Sequence, residues 1–302
     1  MKKAIISIIS LIMICSFSVC AFAACRQDGI NDSQLTTDWN ANWEAFRPNA
    51  VLPPVADVPD VEPEDPEPPQ EGGGGSNGVD IPQVVPPTVK YSSMIISDTQ
   101  GLNIRSAPST SSSVLGSMDK GDMLRYEGKS NGWYKTVYKQ RVAYVYAGNN
   151  YAHIVQMKQS SNEKIEKIIS IGEELMGYPY VWGSQRYHWG NGVKNTNFVQ
   201  GEYDCSALMQ YIFYMGGGIL LDLNTRTQVL QGTKVADGNL KRGDVMFFTN
   251  ASRYNNKGVE RVGHVALYLG NNYILHTASD HAVIEEISNT RWGYFLVAKR
   301  FL

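Results

Sequence analysis

The segment "GEYDCSALMQYIFYMGGG", residues 201–218, decides how this chain is interpreted. Its apolar residues recur at the spacing of a helix with one face on a core: Leu208, Tyr211, Ile212 and Met215. Cys205 falls in the first turn of this predicted helix, where unpaired backbone N–H groups and the positive end of the helix dipole favour a thiolate. A buried cysteine is more often a small apolar core residue. Its position nevertheless makes Cys205 a candidate nucleophile.

Two downstream histidines are candidates for its base. His264 begins the run "HVALYLG", and His276 lies within "NYILHTAS", with residues 270–272 as the predicted hairpin turn. A three-residue loop would place both histidines on one face of the hairpin, one diagonal of about 7–8 Å apart. A two-residue loop would place them on opposite faces. Cooperation between the two histidines therefore predicts an odd loop or a bulge. In that arrangement Cys205 is the nucleophile, His264 is the base and later the acid, and His276 orients His264.

The elements around these residues predict the fold class. "NEKIEKIISIGEELMGYPY" predicts a core-facing helix that Gly177 ends. The residues expected on its buried face are Ile165, Ile168, Ile169, Leu175 and Met176. Several strand-like runs follow the Cys205 segment. One helical segment that feeds several antiparallel strands is an α+β arrangement.

The N-terminus predicts export. The chain has 302 residues and four cysteines, three of which lie in "MKKAIISIISLIMICSFSVCAFAAC". Two lysines, an apolar run and the small residues of "AFA" predict a signal peptide over residues 1–25, with cleavage after Ala23. The same residues also fit a lipoprotein signal, which would leave Cys25 lipidated. The apolar run is short for a permanent membrane span. The number and positions of the cysteines do not indicate a disulfide framework.

A leader of unknown role, residues 26–50, and a linker, residues 51–90, come next. The linker is rich in Pro, Gly and acidic residues and predicts an extended, disordered spacer. Residues 26–90 hold twelve acidic and three basic side chains, so the remainder of the chain is mildly basic although the net charge is −2. A mildly basic exported protein suits an anionic cell-wall polymer, and no nucleic-acid-binding motif accompanies the charge.

Residues 91–157 show short alternating runs with Asn131-Gly132 as a turn, which predicts a small antiparallel barrel. "LNIRSAPSTSSSVLGSMDKGD", "GKSNGWYKTVY" and "VAYVYAGNNY" resemble the bacterial Src-homology-3-like domain associated with cell walls. The resemblance implies that this domain binds the wall or orients substrate, although a structural spacer is the alternative.

Residues 162–302 carry a second resemblance. "YPYVWGS", "YDCSALMQYIF", "TRTQ", "LKRGDVMFF" and "GHVALYLGNNYILHTA" occur in the order found in the NlpC family of cell-wall cysteine peptidases, which have a papain-like α+β fold. The resemblance implies catalysis by Cys205, His264 and His276 without a metal or cofactor. It also implies a substrate site lined by Tyr180, Asp204 and Ser206, for which a core aromatic and two helix caps are the alternatives. Asp244 is interpreted as structural.

Two departures from the family pattern stand out. Residues 184–202 are inserted between Tyr180 and Cys205, and their Gly, Asn and aromatic content predicts a loop at the mouth of the site. The family often carries an arginine one or two places before Arg226, where this chain has Asn224. The contact made by the family's arginine is therefore not implied for this chain.

The function that this resemblance implies is that of an exported or envelope-associated peptidoglycan hydrolase, a cysteine endopeptidase that cuts between D-γ-glutamate and a diamino acid. Its predicted partners are stem peptides and the cell wall, and it contacts a membrane only if Cys25 is lipidated. The alternatives are an amidase acting between muramic acid and L-alanine, an acyl transferase with the same site, and a non-catalytic wall-binding protein. A zinc peptidase using His276, Asp280 and His281 is a remote option because the chain has no "HExxH".

Overall fold

A computed structural model describes residues 89–277 and 280–302. The predicted signal peptide, the alternative of lipidation at Cys25, the leader and all but the last two residues of the linker lie outside the described residues. No helix within the described residues has the length and apolar character needed to cross a membrane.

The first described region is built from eight strands in two antiparallel sheets. One sheet has the order β4-β1-β8 and the other β3-β2-β7-β6-β5. The strands are β1 (Tyr91–Ser97), β2 (Leu102–Arg105), β3 (Val114–Met118), β4 (Met123–Arg125), β5 (Gly128–Ser130), β6 (Trp133–Tyr138), β7 (Arg141–Tyr146) and β8 (Ala152–Lys158). Asn131 and Gly132 both have positive φ in the turn between β5 and β6, as the sequence predicted. The predicted small all-β domain is confirmed.

The second region packs helices against one six-stranded antiparallel sheet of order β13-β12-β11-β10-β14-β9. Its helices are α1 (Glu163–Glu174), α2 (Cys205–Gly217), α3 (Thr225–Gln228) and α4 (Asn289–Gly293), with a 3₁₀ turn at Gly258–Arg261. Its strands are β9 (Thr233–Lys234), β10 (Val245–Phe248), β11 (His264–Gly270), β12 (Tyr273–Thr277), β13 (Ala282–Glu286) and β14 (Phe295–Arg300). The predicted α+β class is confirmed.

Helix α2 lies at the centre of this region. Leu208 and Ile212 are fully buried, and burial extends almost around the whole helix because α1 and the sheet cover it from different sides. Met215, which the helical spacing placed on the same face, is instead 41% exposed. Gly218 ends the helix in the left-handed conformation, with φ of 68°, which glycine adopts without steric cost.

Helix α1 buries three of the five residues expected of its face, and the other two, Leu175 and Met176, are buried just after the helix. It ends at Glu174, however, three residues before the glycine predicted to end it. Gly177 has a φ of 87°, and a Cβ at this position would lie 2.0 Å from Cζ of Tyr138 in the first region. The glycine is therefore required for a close contact between the two regions rather than as a helix cap.

The turn between β6 and β7 covers the end of α1. The backbone N–H groups of Lys139 and Gln140 donate to the carbonyls of Met176 and Glu174, each at 2.9 Å. These bonds satisfy acceptors that a helix end leaves without intrahelical partners. A single cluster of buried apolar residues runs through both regions, so the barrel packs directly against the second region.

Candidate active site

Cys205 is the first residue of α2, as the sequence predicted. Asp204 caps the helix, because its Oδ1 accepts hydrogen bonds from the Ala207 backbone N–H at 2.8 Å and from the Ser206 hydroxyl at 2.9 Å. The thiol is free and buried, with 7% of the residue exposed. The backbone N–H groups of Ser206 and of Val265 lie close enough to its sulfur to lower the pKa of the thiol, which places Cys205 against the beginning of β11.

Burial and the helix start act on this thiol in opposite directions. Desolvation is the largest effect and, with the nearby Asp204 carboxylate, raises the pKa of Cys205 to about 12, although the two N–H groups and Arg186 lower it. The helix start, which is visible in the sequence, favours the thiolate, whereas the burial that opposes it is not. In the folded protein the resting thiol is protonated at neutral pH, so attack on a substrate requires a base.

The β11–β12 hairpin has the register that brings the two histidines together. Tyr268 pairs with Ile274, and a bulge follows before Gly270 pairs with Tyr273. The extra residue of the bulge offsets the two-residue turn at Asn271 and Asn272, which both have positive φ. The expected bulge is therefore present, and His264 and His276 lie on one face.

The two imidazoles are hydrogen-bonded to each other. His264 Nε2 lies 2.8 Å from His276 Nδ1, and the ring centroids are 5.0 Å apart. Burial lowers the pKa of His276, and burial together with the neighbouring His276 and Arg291 lowers the pKa of His264 well below its usual value. Both rings are therefore neutral at neutral pH, and the neutral His264 is able to accept a proton.

Arg186, from the inserted segment, holds the start of α2. Its Nη2 donates to Asp204 Oδ2 at 2.9 Å and to Ser206 Oγ at 3.0 Å. Its remaining donors reach the backbone carbonyls of Ser184 and Leu223. One guanidinium thus ties the insertion and the chain before α3 to the helix that carries the thiol.

The three predicted substrate-binding residues differ in how exposed they are. Asp204 and Ser206 are 6% and 3% exposed, and their polar atoms bond to each other, to the backbone and to Arg186. Tyr180 is half-buried, and Cys205 and Asp204 help burial to raise the pKa of its phenol, so it lies near the thiol. The role of all three in substrate binding remains a prediction, with Tyr180 the most accessible of them.

Asn224 and Arg226 have structural positions. Asn224 caps α3 in a reciprocal arrangement with Thr227, and Arg226 pairs with the exposed Glu260 at 3.5 Å. The guanidinium that contacts the start of α2 belongs to Arg186. Arg186 was not predicted as a site residue, because the composition of its segment indicates only a loop.

The insertion is anchored by aromatic rings. Tyr187 packs edge-on against Phe198 and against Tyr211 of α2, with centroids 5.1 and 5.3 Å apart. A cavity of about 590 Å³ opens beside these rings. Trp182, just before the insertion, is 86% exposed.

Asp244 is buried and accepts two hydrogen bonds from Arg300, which is the structural role expected of it.

Glu285 is a further member of the histidine cluster that the sequence analysis did not name. Its Oε1 lies 3.0 Å from His276 Nε2 and accepts a hydrogen bond from Arg291 at 2.7 Å. Both ring nitrogens of His276 are thus engaged by protein groups. In residues 89–277 and 280–302 no group of three or more His, Cys, Asp or Glu has a geometry suited to a metal.

Comparisons with known proteins find similarities for both regions of the chain. Residues 177–300 match the model of the NlpC/P60 family, and residues 100–149 match that of the bacterial SH3 domain. The peptidoglycan DL-endopeptidase CwlO of Bacillus licheniformis is 29% identical over 44% of this chain and 27% of its own length. The gamma-DL-glutamyl hydrolase of Bacillus subtilis is 29% identical over 41% of this chain and 26% of its own length.

Among solved structures, an NlpC/P60 family protein from Bacillus cereus is 19% identical, with 70% of this chain and 64% of that chain covered and a TM-score of 0.37. The chain spans only about a quarter of the length of the two curated relatives. A thiol at a helix start beside two strand-borne histidines is an arrangement suited to nucleophilic catalysis by cysteine. Residues 177–300 thus resemble the NlpC/P60 family, and residues 100–149 resemble the bacterial SH3 domain.

Proposed function

We propose that this chain is an exported peptidoglycan hydrolase, a cysteine endopeptidase that cleaves stem peptides between D-γ-glutamate and the following diamino acid. The observation that carries the proposal is the position of Cys205. Its thiol lies at the start of α2 against β11, the strand that begins with His264 and presents the His264–His276 pair. The two Bacillus relatives, a peptidoglycan DL-endopeptidase and a gamma-DL-glutamyl hydrolase, support the choice of substrate.

The resting site holds a neutral thiol and neutral imidazoles. His264 uses Nε2 in its hydrogen bond to His276, which leaves Nδ1 as the nitrogen available to a proton from Cys205. In the proposed reaction the thiol proton moves to His264 as sulfur attacks the γ-glutamyl carbonyl carbon. Because the free thiolate is disfavoured by burial, proton transfer accompanies the attack rather than preceding it.

The tetrahedral intermediate then collapses. The carbonyl oxygen carries the developing negative charge, and in the proposed reaction backbone N–H groups at the start of α2, including that of Cys205, stabilise it. His264 gives its proton to the leaving amine of the diamino acid, and the C–N bond breaks to leave a thioester on Cys205. Water activated by His264 hydrolyses the thioester and releases the new glutamate carboxylate.

The SH3 domain is proposed to bind the cell wall. Its direct packing on α1 and its close contact at Gly177 support a fixed position relative to the site rather than a freely tethered one. Export, through the signal peptide predicted at residues 1–25, would bring the enzyme to its substrate.

A digest of purified peptidoglycan tests the proposal. The full chain is incubated with sacculi, and the products are identified by mass spectrometry. We expect a new D-glutamate carboxylate paired with a new amine on the diamino acid. Cys205→Ala should reduce the rate by more than about 10³-fold, because the nucleophile and base act as a unit. Alkylation of the wild-type chain should cause the same loss.

The other outcomes identify the alternatives. A free L-alanine amine would indicate an amidase, and a new amide to an added amine would indicate a transferase. Binding to sacculi without any new terminus would indicate a non-catalytic wall-binding protein. Activity that survives Cys205→Ala would overturn the assignment to this site.

A further inference from the structure

A continuous line of hydrogen bonds leads from His264 to a carboxylate. His264 Nε2 meets His276 Nδ1 at 2.8 Å, His276 Nε2 meets Glu285 Oε1 at 3.0 Å, and Arg291 Nη2 donates to the same oxygen at 2.7 Å. His276 is 0% exposed, so water does not compete for its ring nitrogens. The group at the far end of this line, the Glu285 carboxylate, therefore decides which nitrogen donates and which accepts in each hydrogen bond.

The sheet register explains why Glu285 reaches His276. His276 pairs with Val283 across β12 and β13, and Glu285 lies two residues further along β13. Residues two apart on a strand share a face, so Glu285 is the diagonal neighbour of His276. His264 occupies the corresponding diagonal on the other side. Three polar side chains from three adjacent strands thus form one row across the sheet.

An ionised carboxylate can only accept hydrogen bonds. Because Oε1 accepts, His276 must donate from Nε2, and the neutral His276 ring then has an unprotonated Nδ1. That nitrogen can only accept, so His264 must donate from Nε2, which leaves the lone pair of His264 Nδ1 free. We propose that Glu285 is a positioning residue that fixes the tautomers of both histidines and keeps His264 Nδ1 available as the base for Cys205.

The surroundings of Glu285 keep it ionised. Burial alone would raise its pKa, but the hydrogen bonds and charges of His276 and Arg291 lower it to about 2. The other charged groups whose fields reach this row are His281 and, from the SH3 domain, Asp122. Glu285 itself is only partly buried, with 29% of its side chain exposed, so it can be substituted without leaving a cavity in the core.

The effect of Glu285 on kcat rests on the proposed peptidase function, whereas its effect on the tautomers of the two histidines does not. The tautomers are read in the full chain by ¹⁵N NMR of labelled histidine, without substrate. We expect both His264 and His276 to carry their proton on Nε2 at neutral pH. A proton on Nδ1 of either ring in the wild-type chain would overturn the proposal, whatever the activity of the protein.

The variant Glu285→Gln provides the second readout. A glutamine amide offers an acceptor and a donor, so it no longer dictates the direction of the row, and we expect signals of the Nδ1–H tautomers to appear. With peptidoglycan fragments as substrate, kcat should fall by about 10-fold to 100-fold with little change in KM, as for other positioning groups behind a reactive residue. The acid limb of kcat/KM should move to lower pH, because the Glu285 carboxylate raises the pKa of His276 in the wild-type chain and the variant lacks it.

Glu286→Gln is the matched control. Glu286 is adjacent in sequence but exposed on the opposite face of β13, where it accepts a hydrogen bond from Asn272. It should leave the tautomers, kcat and pH profile unchanged. Glu285→Asp, which retains the carboxylate, should retain the wild-type tautomers. If Glu285→Gln leaves both the tautomers and kcat unchanged, Glu285 only pairs with Arg291 and the proposal fails.

Discussion

Asp204 and Glu173 are both buried carboxylates near the interface of two packed helices. They lie at opposite kinds of helix end: Asp204 precedes the first turn of α2, whereas Glu173 lies in the last turn of α1. Asp204 faces the positive end of a helix dipole, and its carboxylate accepts three hydrogen bonds, from Arg186, Ser206 and Ala207. Glu173 faces a negative helix end.

The partner of Glu173 is also more distant. Arg125 Nη1, from the SH3 domain, lies 3.7 Å from Glu173 Oε2, which is too long for a hydrogen bond. Burial raises the pKa of Glu173 to about 7, and Arg125 and Arg242 lower it only in part. The comparison teaches that burial of a carboxylate is stabilising only where donors and the helix dipole compensate for lost hydration.

Removal of Asp204 should have the largest effect. Asp204→Ala deletes the cap of α2 and leaves Arg186 without its carboxylate partner, so we expect the free energy of unfolding to fall by about 3 kcal/mol. Denaturant unfolding at pH 7 measures this change. The matched control Asn162→Ala removes the cap of α1, which has no ion pair, and should cost about 1 kcal/mol.

A double variant separates the two contributions of Asp204. In Asp204→Ala with Arg186→Ala no unpaired guanidinium remains, so part of the lost stability should return relative to Asp204→Ala with Arg186 intact. If the two substitutions are simply additive, the pair at the helix start contributes no coupling and the comparison with Glu173 loses its basis.

Replacement of Glu173 should have the opposite sign. The unfolded carboxyl has a pKa near 4.5 and the folded one about 7, so the folded state is penalised as pH rises through this interval. Glu173→Gln removes that penalty, and we expect it to stabilise the protein by roughly 2 kcal/mol at pH 8 and by much less at pH 5. Thermal unfolding at both pH values measures the difference.

The neighbouring Glu174 supplies the control for that measurement. Its side chain is 42% exposed, so Glu174→Gln should change stability little at either pH. A Glu173→Gln variant that is destabilised at pH 8 would show that the long ion pair with Arg125 outweighs burial.

Replacement of Arg226 should have the smallest effect. Arg226 pairs with Glu260 at 3.5 Å, and both side chains are exposed to water, so the pair contributes at most about 0.5 kcal/mol. Arg226→Ala should therefore leave both unfolding and peptidoglycan cleavage close to wild type. Loss of cleavage in this variant would show that Arg226, rather than Arg186, supplies the guanidinium that matters at the site.

Much of the fold and part of the site could be predicted from local patterns. The helical spacing after Cys205 predicted α2, and the positions of His264 and His276 required the bulge that the hairpin has. Signals of this kind involve residues a few positions apart, where backbone geometry links sequence spacing directly to side-chain direction. Met215 is the exception on α2, because its exposure depends on what covers the helix rather than on its own spacing.

The sequence by itself determined the class of both domains, the helix start that carries the thiol and the hairpin that pairs the histidines. Only the tertiary structure decided that Arg186 holds Asp204, that Glu285 ends the histidine row, and that burial keeps the Cys205 thiol protonated. Each of these depends on how distant segments meet and on how much water their contact removes. Neither quantity is encoded in the spacing of neighbouring residues.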